Sequence, residues 1–418
     1  MKILFLTSRV PFPPHRGDKL RTYNFLRTLA NDYEIALVSF AESAEEREAG
    51  NTLARFCSER RLISLPRWRS WVHAALLYPF SLPSQAAYYV SPAMTHAVRE
   101  IERHFRPDIV YIHLFRMIFY HRWLTKTPYT ILDLTDVVSK ELFRSIPYRS
   151  PFEVPLILRE ARRIRAYERR ATTLVNETWV ISKEDQQDMV AAGGEGKMHV
   201  IPNGLPNTSP PVSRDPDPHL LLFYGYAPVE HNRDALTLLL QKILPNVRKH
   251  LPAVRLAVVG AGRRPTPCPN GDDEPFPVEY HGFLDTPEVI FSRAALLTVP
   301  VRFSAGVQNK ILEAMAAGVP VVTSPFGNEG IEGRDGAHLA VCGSADAFAE
   351  RITYLLQHPE EREAMGKRGQ AYVQSRFSWE TTRYRMRAIE NKIQSRDPEG
   401  REGAENLWPL CSAKGRIA

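Results

Sequence analysis

Short, continuously apolar runs alternate with amphipathic stretches along most of the chain. "KILFLTS", "YEIALVSF", "RLISL", "PDIVYIHL" and "TPYTILDL" read as buried strands, because apolar residues fill successive rather than alternate positions. Between them "KLRTYNFLRTLAND" sets Leu20, Phe25, Leu26 and Leu29 at helical spacing, and "EEREAGNTLARFC" and "SPAMTHAVREIERHF" have helical patterns. Strands apolar on both faces and separated by helices predict a parallel sheet covered on both sides. A long helix follows, "VPLILREARRIRAYERRATTLV", striped by Ile164, Tyr167, Ala171 and Leu174, and "ETWVIS" and "MHVIPNG" add two short strands.

Residues 204–218, "GLPNTSPPVSRDPDP", hold five prolines and no periodicity, which predicts a linker. The alternation then starts afresh with "HLLLFYGY", "VRLAVVGAG", "VEYHGFL", "AALLTVPV", "VPVVTS" and "HLAVC" as strands. The expected architecture is α/β: two doubly wound, Rossmann-like domains facing each other across a cleft. The predicted boundaries are 1–203 for the first domain and 219–375 for the second. A C-terminal helix over 376–393 and a disordered tail over 394–418 complete the chain.

Composition changes this picture little. Of 418 residues, 44% are hydrophobic and 24% charged, as in an ordinary soluble protein. No apolar run approaches the roughly 20 residues of a bilayer-spanning helix, and "MKILFLTSRVPFP" is too short for a signal peptide, so a cytoplasmic location is expected. Cys57, Cys268, Cys342 and Cys411 have no metal-ligand spacing and read as reduced thiols. The net charge of +7 favours an anionic ligand or membrane surface; nothing calls for nucleic acid. "VVGAGRRP" has Pro265 where a dinucleotide fingerprint needs its last glycine, and no GxxxxGK[ST] or Gly-x-Ser-x-Gly occurs.

In open parallel sheets, ligands lie beyond the carboxyl ends of the strands, where loops enter helices. "RFSAGVQNKILEAMAAGVPVVTS" has that layout: a strand ends, a small-residue turn follows, and a helix begins near Val307. Lys310 and Glu313 stand on one side of it, beside the apolar Ile311, Leu312 and Met315. A lysine in a first turn opposes the helix dipole, and a bound diphosphate reverses that conflict. Taken alone, the pair is equally an exposed ion pair contributing roughly 0.2–0.5 kcal/mol. "PPHRGDKLR" places Arg16 and Gly17 after the first strand, Gly225 ends the first strand of the second half, and His113 ends "DIVYIHL". Each has a structural reading too: a turn, a strand end, a packed imidazole. "WRSWVHAALLYPFSLPS" sets Trp68, Trp71, Tyr78 and Phe80 beside basic residues, as core packing or as an interfacial segment.

"KILEAMAAGVPVVTS", followed by "FGNEGIEG" and supported by "RGDKLRTYNFLRTLA", "VIPNG" and "AVVGAG", resembles the family 4 retaining glycosyltransferases of the GT-B fold, over roughly residues 1–390. "GVQNKILEAMA", "DLTDVVS" and "YERRA" look most like the branch associated with bacterial exopolysaccharide and PEP-CTERM sorting systems. The resemblance implies a nucleotide-diphosphate sugar held by the second domain and a glycan or lipid-linked acceptor on the first, with no cofactor and no metal. The resemblance implies Lys310 and Glu313 as the catalytic pair, facing the leaving diphosphate and the ribose. Separately from the resemblance, "REARRIRAYERR" presents Arg159, Arg162, Arg163, Arg165, Arg169 and Arg170. They form either a basic face for peripheral contact with an anionic membrane or a solvated face with Glu160 and Glu168 as local partners. In the family pattern, Arg302, Gly306, Val307, Gly225 and Gly17 fall around the donor, and Arg16 and His113 on the acceptor side. Two positions depart from the family pattern: Ala305 stands where a glutamate precedes Glu313 by eight residues, and Tyr226 where an arginine follows the glycine. These departures keep open a non-catalytic glycan- or nucleotide-sugar-binding protein. A nucleotide-sugar epimerase is a third reading, with His113 and Asp133 as its acid–base candidates.

Overall fold

The computed structural model describes all residues except 15–16, 67–71, 73–81, 125–127, 206–212, 261–276, 283, 285–286 and 396–418. Arg16, the aromatics Trp68, Trp71, Tyr78 and Phe80, Cys268, Cys411 and nearly all of the expected tail lie outside the described residues.

The first sheet contains β1 (Lys2–Thr7), β2 (Glu34–Ala41), β3 (Glu59–Ser64), β4 (Ile109–His113), β5 (Tyr129–Thr135), β6 (Glu177–Val180) and β7 (Lys197–Val200). They are all parallel, in the order β3-β2-β1-β4-β5-β6-β7. The second contains β8 (Asp217–Tyr224), β9 (Arg255–Val259), β10 (Val278–His281), β11 (Ala294–Val299), β12 (Val321–Thr323) and β13 (Ala340–Val341). Its order is β10-β9-β8-β11-β12-β13, again parallel. Each sheet reverses its winding once, between β1 and β4 and between β8 and β11, and a crevice opens at the carboxyl end of each reversal.

Six helices matter for the site: α1 (Gly17–Leu29), α2 (Val138–Ser145), α3 (Val154–Thr173), α4 (Glu230–Leu238), α5 (Asn309–Ala316) and α6 (Glu380–Gln394). The last of these leaves the second sheet and returns to the first domain. Trp379, Met386 and Ile389 share one buried cluster with Phe25 and Trp179, and the Phe25 and Trp379 rings meet edge to face at 5.7 Å. Gly204 fits beneath this crossing because a Cβ there would lie 2.3 Å from the Trp379 backbone nitrogen. Among the described residues no helix is long and apolar enough to cross a membrane.

Two carboxylates of α3 bond to other segments of the first domain. Glu168 is buried and accepts from Ser139 and the Val138 amide, and burial pushes its carboxyl up to about 7. Glu160 accepts from the Ser84 amide at 2.7 Å.

A buried ion pair organises the first domain's cleft edge. Arg21 of α1 and Asp133 of β5 are both fully buried, with Nε to Oδ2 at 2.6 Å. The same carboxylate accepts from the Tyr111 hydroxyl and from the Thr135 amide at 2.8 Å. Burial opposes its charge, yet Arg21 holds it below the usual carboxylate range. Arg21 also donates to the Ile201 carbonyl and to Asn203 Oδ1, each at 2.9 Å. Removing one member of such a pair leaves an uncompensated charge in the core. Arg21→Met is therefore expected to destabilise the protein by about 3–5 kcal/mol, read as a drop in the chemical-denaturation midpoint; a loss under about 1 kcal/mol would contradict this reading of the pair.

Candidate active site

The two crevices face each other and merge into one cleft of about 1460 Å3. The first domain contributes the segments after β1, β4 and β5, including Arg9, Asp18, Leu114, Arg116, Thr135, Asp136 and Glu141. Leu114 and Thr135 adopt left-handed backbone at φ 71° and 59°, uncommon for residues with a Cβ. Asp133 holds both turns: its carbonyl accepts from the Leu114 amide at 2.7 Å and its carboxylate from the Thr135 amide. Such strain persists where the surroundings over-determine it, commonly at functional sites.

The second domain contributes the carboxyl ends of β8 and β9 and the start of α5. Gly225 and Gly260 touch here: a Cβ on Gly260, at φ 88°, would lie 2.8 Å from the Gly225 carbonyl oxygen. α5 begins at Asn309, with Gln308 as an N-cap that makes no side-chain capping bond, so its first amides face the cleft without that partner. Lys310 lies in this first turn and Glu313 three residues on; both line the cleft.

Their surroundings are not those of a surface ion pair. Lys310 Nζ donates to Asn232 Oδ1 of α4. Burial pulls its ammonium down to about 7, only partly countered by Glu141 and then Glu313. Burial likewise pushes Glu313 up to about 7, with the charge of Glu288 adding to it and the Tyr224 hydroxyl and Lys310 opposing it. A cation made costly by desolvation, at a helix start, is a site that an anion stabilises.

The other sequence candidates divide. Val307 lines the cleft. Gly306 sits at the domain seam, at φ 69°, where a Cβ would collide with the Asp136 carboxylate at 1.6 Å. Gly17 also lines the cleft, but at the seam, with Asn309 Nδ2 3.0 Å from the place of a Cβ. Arg302 is committed elsewhere: it pairs with Asp234, Nε to Oδ2 at 2.8 Å, and lies 4.2 Å over the Tyr148 ring. His113 ends a parallel strand as expected, yet it is buried behind the cleft wall and its Nε2 lies 3.3 Å from Thr135 Oγ1. Burial pulls its imidazole down to about 4, so it is neutral at pH 7. With His113 buried and Asp133 bound to Arg21, neither acid–base candidate of the epimerase reading reaches the cleft. Ala305 lines the cleft where the related pattern has a carboxylate, as do Tyr226 and His231, and His231 Nδ1 lies 2.8 Å from Glu141 Oε1.

Sequence reasoning passed over Asp136, Glu141, Tyr224, Asn232 and Glu288. Asp136 was findable, since it follows "TILDLT" at a strand's carboxyl end. Asn232 and Glu288 were not, because only folding carries them to α5.

Residues 218–358, within the second domain, match the model of the family Glycosyl transferases group 1. Over 158 residues the chain is 31% identical to a GDP-mannose-dependent monoacylated alpha-(1-6)-phosphatidylinositol monomannoside mannosyltransferase of Corynebacterium glutamicum. That match covers 35% of this chain and 42% of the relative. Among solved structures, the sucrose-phosphate synthase from Thermosynechococcus elongatus superposes with a TM-score of 0.67 at 15% identity, covering 94% of this chain and 99% of the other. Anabaena HepE in complex with UDP and glucose gives 0.64 at 15% identity, covering 94% and 100%. These structural likenesses establish the GT-B architecture of two parallel-sheet domains.

The titration of Lys310 gives a signed expectation. Above about pH 7 the free lysine is neutral and must take up a proton before it can meet an anion. Affinity for inorganic pyrophosphate is therefore expected to fall by up to tenfold per pH unit above pH 7, and Lys310→Arg, which stays charged, flattens the profile. Calorimetric titration at several pH values checks this; a pH-independent affinity in the wild type would remove Lys310 from the anion site.

Proposed function

We propose that the protein transfers a sugar from a nucleotide-diphosphate donor to a glycan or lipid-linked glycan acceptor, with retention at the anomeric carbon, in cell-surface or exopolysaccharide synthesis. One observation carries this reading: a desolvated Lys310 at the start of α5 with Glu313 one turn on, both lining a cleft between two doubly wound domains. The matched family and the donors in the relatives' names, GDP-mannose and UDP with glucose, agree with it.

In this reading the donor lies along the second domain. The Lys310 ammonium and the first amides of α5 receive the diphosphate, and Glu313 accepts hydrogen bonds from the ribose diol. As the glycosidic bond breaks, negative charge grows on the leaving phosphate oxygen. Fixed positive charge placed beforehand lowers that barrier without reorganisation, and no metal is assigned a part. Gly225 and Gly260 keep the strand ends free of side chains, so that the backbone can approach the donor.

Nucleotide release from UDP-glucose and GDP-mannose, followed with and without glycan acceptors, tests the reading. Lys310→Met is expected to lower turnover by about 10²–10³-fold. Glu313→Ala is expected to abolish the stabilisation that UDP or GDP gives the wild type, about 2.7 kcal/mol at a hundredfold excess over Kd. Ala305 and Tyr226 support one second reading, a non-catalytic binder of the same ligands. Nucleotide binding without turnover of any donor would favour it.

Membrane contact belongs to the same proposal. Phe152 is 95% exposed and Leu156 60% exposed at the start of α3, one turn before Arg159. An apolar pair beside basic residues suits an anionic interface. Phe152→Asp is expected to reduce co-sedimentation with phosphatidylglycerol vesicles several-fold; unchanged binding would remove this end of α3 from the contact.

A further inference from the structure

The first domain's wall of the cleft holds a basic group that the donor reading does not use. Arg116 lies just after β4, two residues beyond Leu114, whose left-handed turn carries the chain over the strand end. Its guanidinium rests near two aromatic rings, 5.6 Å from the centre of Tyr89 and 5.7 Å from that of Phe115. Its Nε is buried without a hydrogen-bond partner, and among the described residues no acceptor or carboxylate meets the guanidinium. Arg116 nevertheless lines the cleft.

The neighbouring charges do not balance it. Asp18 is bound to Arg9 at 2.7 Å, and Glu141 to His231. Asp136 stands on the same wall, and burial, with the charges of Asp185 and Glu141, lifts its carboxyl well above the usual carboxylate range and disfavours its charge. An arginine with an unsatisfied buried N–H is costly unless a ligand completes it. Its planar fork fits an oxyanion through two parallel hydrogen bonds. Gln85 adds a side-chain amide on the same wall.

We propose that Arg116 binds an oxyanion carried by the sugar acceptor, so that the acceptor is an acidic glycan: a phosphate ester or a uronic acid. The identity of this ligand as acceptor rests on the transferase reading; its negative charge rests on Arg116. The donor diphosphate is a separate ligand, placed with Lys310 on the opposite wall.

Inorganic phosphate and glucuronate, with neutral glucose as control, are titrated by calorimetry into the full-length wild type, Arg116→Gln, Arg116→Lys and Lys310→Gln. The wild type is expected to bind one of the anions more tightly than glucose. Arg116→Gln is expected to weaken that binding at least tenfold, and by more than Lys310→Gln, which removes only anion held at the start of α5. Phosphate alone identifies a phosphorylated acceptor, and glucuronate alone a uronic acid. Arg116→Lys keeps the charge but loses the fork; a several-fold weakening there decides the matter if Arg116→Gln does not fold. Anion binding equal in wild type and Arg116 variants, loss only in Lys310→Gln, or no anion binding by the wild type would each overturn the proposal. UDP and GDP are titrated into the same proteins. If neither binds the wild type, the donor reading fails while the anion result still stands; if they bind and the anions do not, only the present inference fails.

Discussion

The Asp133 carboxylate, closed off from water and held by Arg21, is the constraint on which the cleft depends. A buried carboxylate is tolerable only when opposite charge and hydrogen bonds surround it. Here they come from α1, from Tyr111 on the neighbouring strand and from the Thr135 amide. Meeting that requirement fixes the two left-handed turns that form the first domain's wall. Arg21 carries the constraint onward through Asn203, whose amide donates to Asn309 Oδ1 at 2.8 Å. Asn309 is the first residue of α5. One buried charge thus registers the first domain's left-handed turns and the helix of Lys310 and Glu313 against one another.

A second set of charges spans the domain seam. Lys140 of α2 donates both to Asp185 in its own domain, at 2.8 Å, and to Glu329 of the second domain, at 2.7 Å. Arg144 joins Glu329 and the Ser304 carbonyl, and Arg149 pairs with Glu230. Among the described residues, Lys310, held by Asn232, and Arg116, set near aromatic rings, line opposite walls of the cleft without a carboxylate ion-pair partner. Partly desolvated and held by their neighbours, both are pre-organised for anions instead of relaxing onto nearby carboxylates. That division agrees with two ligands meeting between the domains, one leaving a diphosphate and one accepting a sugar.

Much of the framework was legible from patterning, because buried parallel strands must be apolar on both faces. "KILFLTS", "YEIALVSF" and "DIVYIHL" could hardly be anything else, while β8 begins at Asp217, inside the expected 204–218 linker. Lys310 and Glu313 were legible for a related reason: three residues apart in a helix that follows a strand end, they share a face wherever that helix packs. The surroundings of Arg302 were not legible, because a sequence records proximity along the chain and not the carboxylate of Asp234, which reaches it only in the fold. The same holds for His113. Its strand is parallel, but its imidazole is buried, with Nε2 3.3 Å from Thr135 Oγ1.

By itself the sequence determined the fold class, the two-sheet division and the helix bearing the central pair, since these depend on local periodicity and on where strands end. The tertiary structure decided which charges are spent on other charges and which remain for a ligand. It buried Arg21 with Asp133, tied Arg302 to Asp234, gave Gly306 a seam role against Asp136, and left Arg116 on aromatic rings with an open N–H. Desolvation is the physical reason. The free energy of a charged side chain is set by what surrounds it in three dimensions, and that environment is assembled from residues distant in the chain.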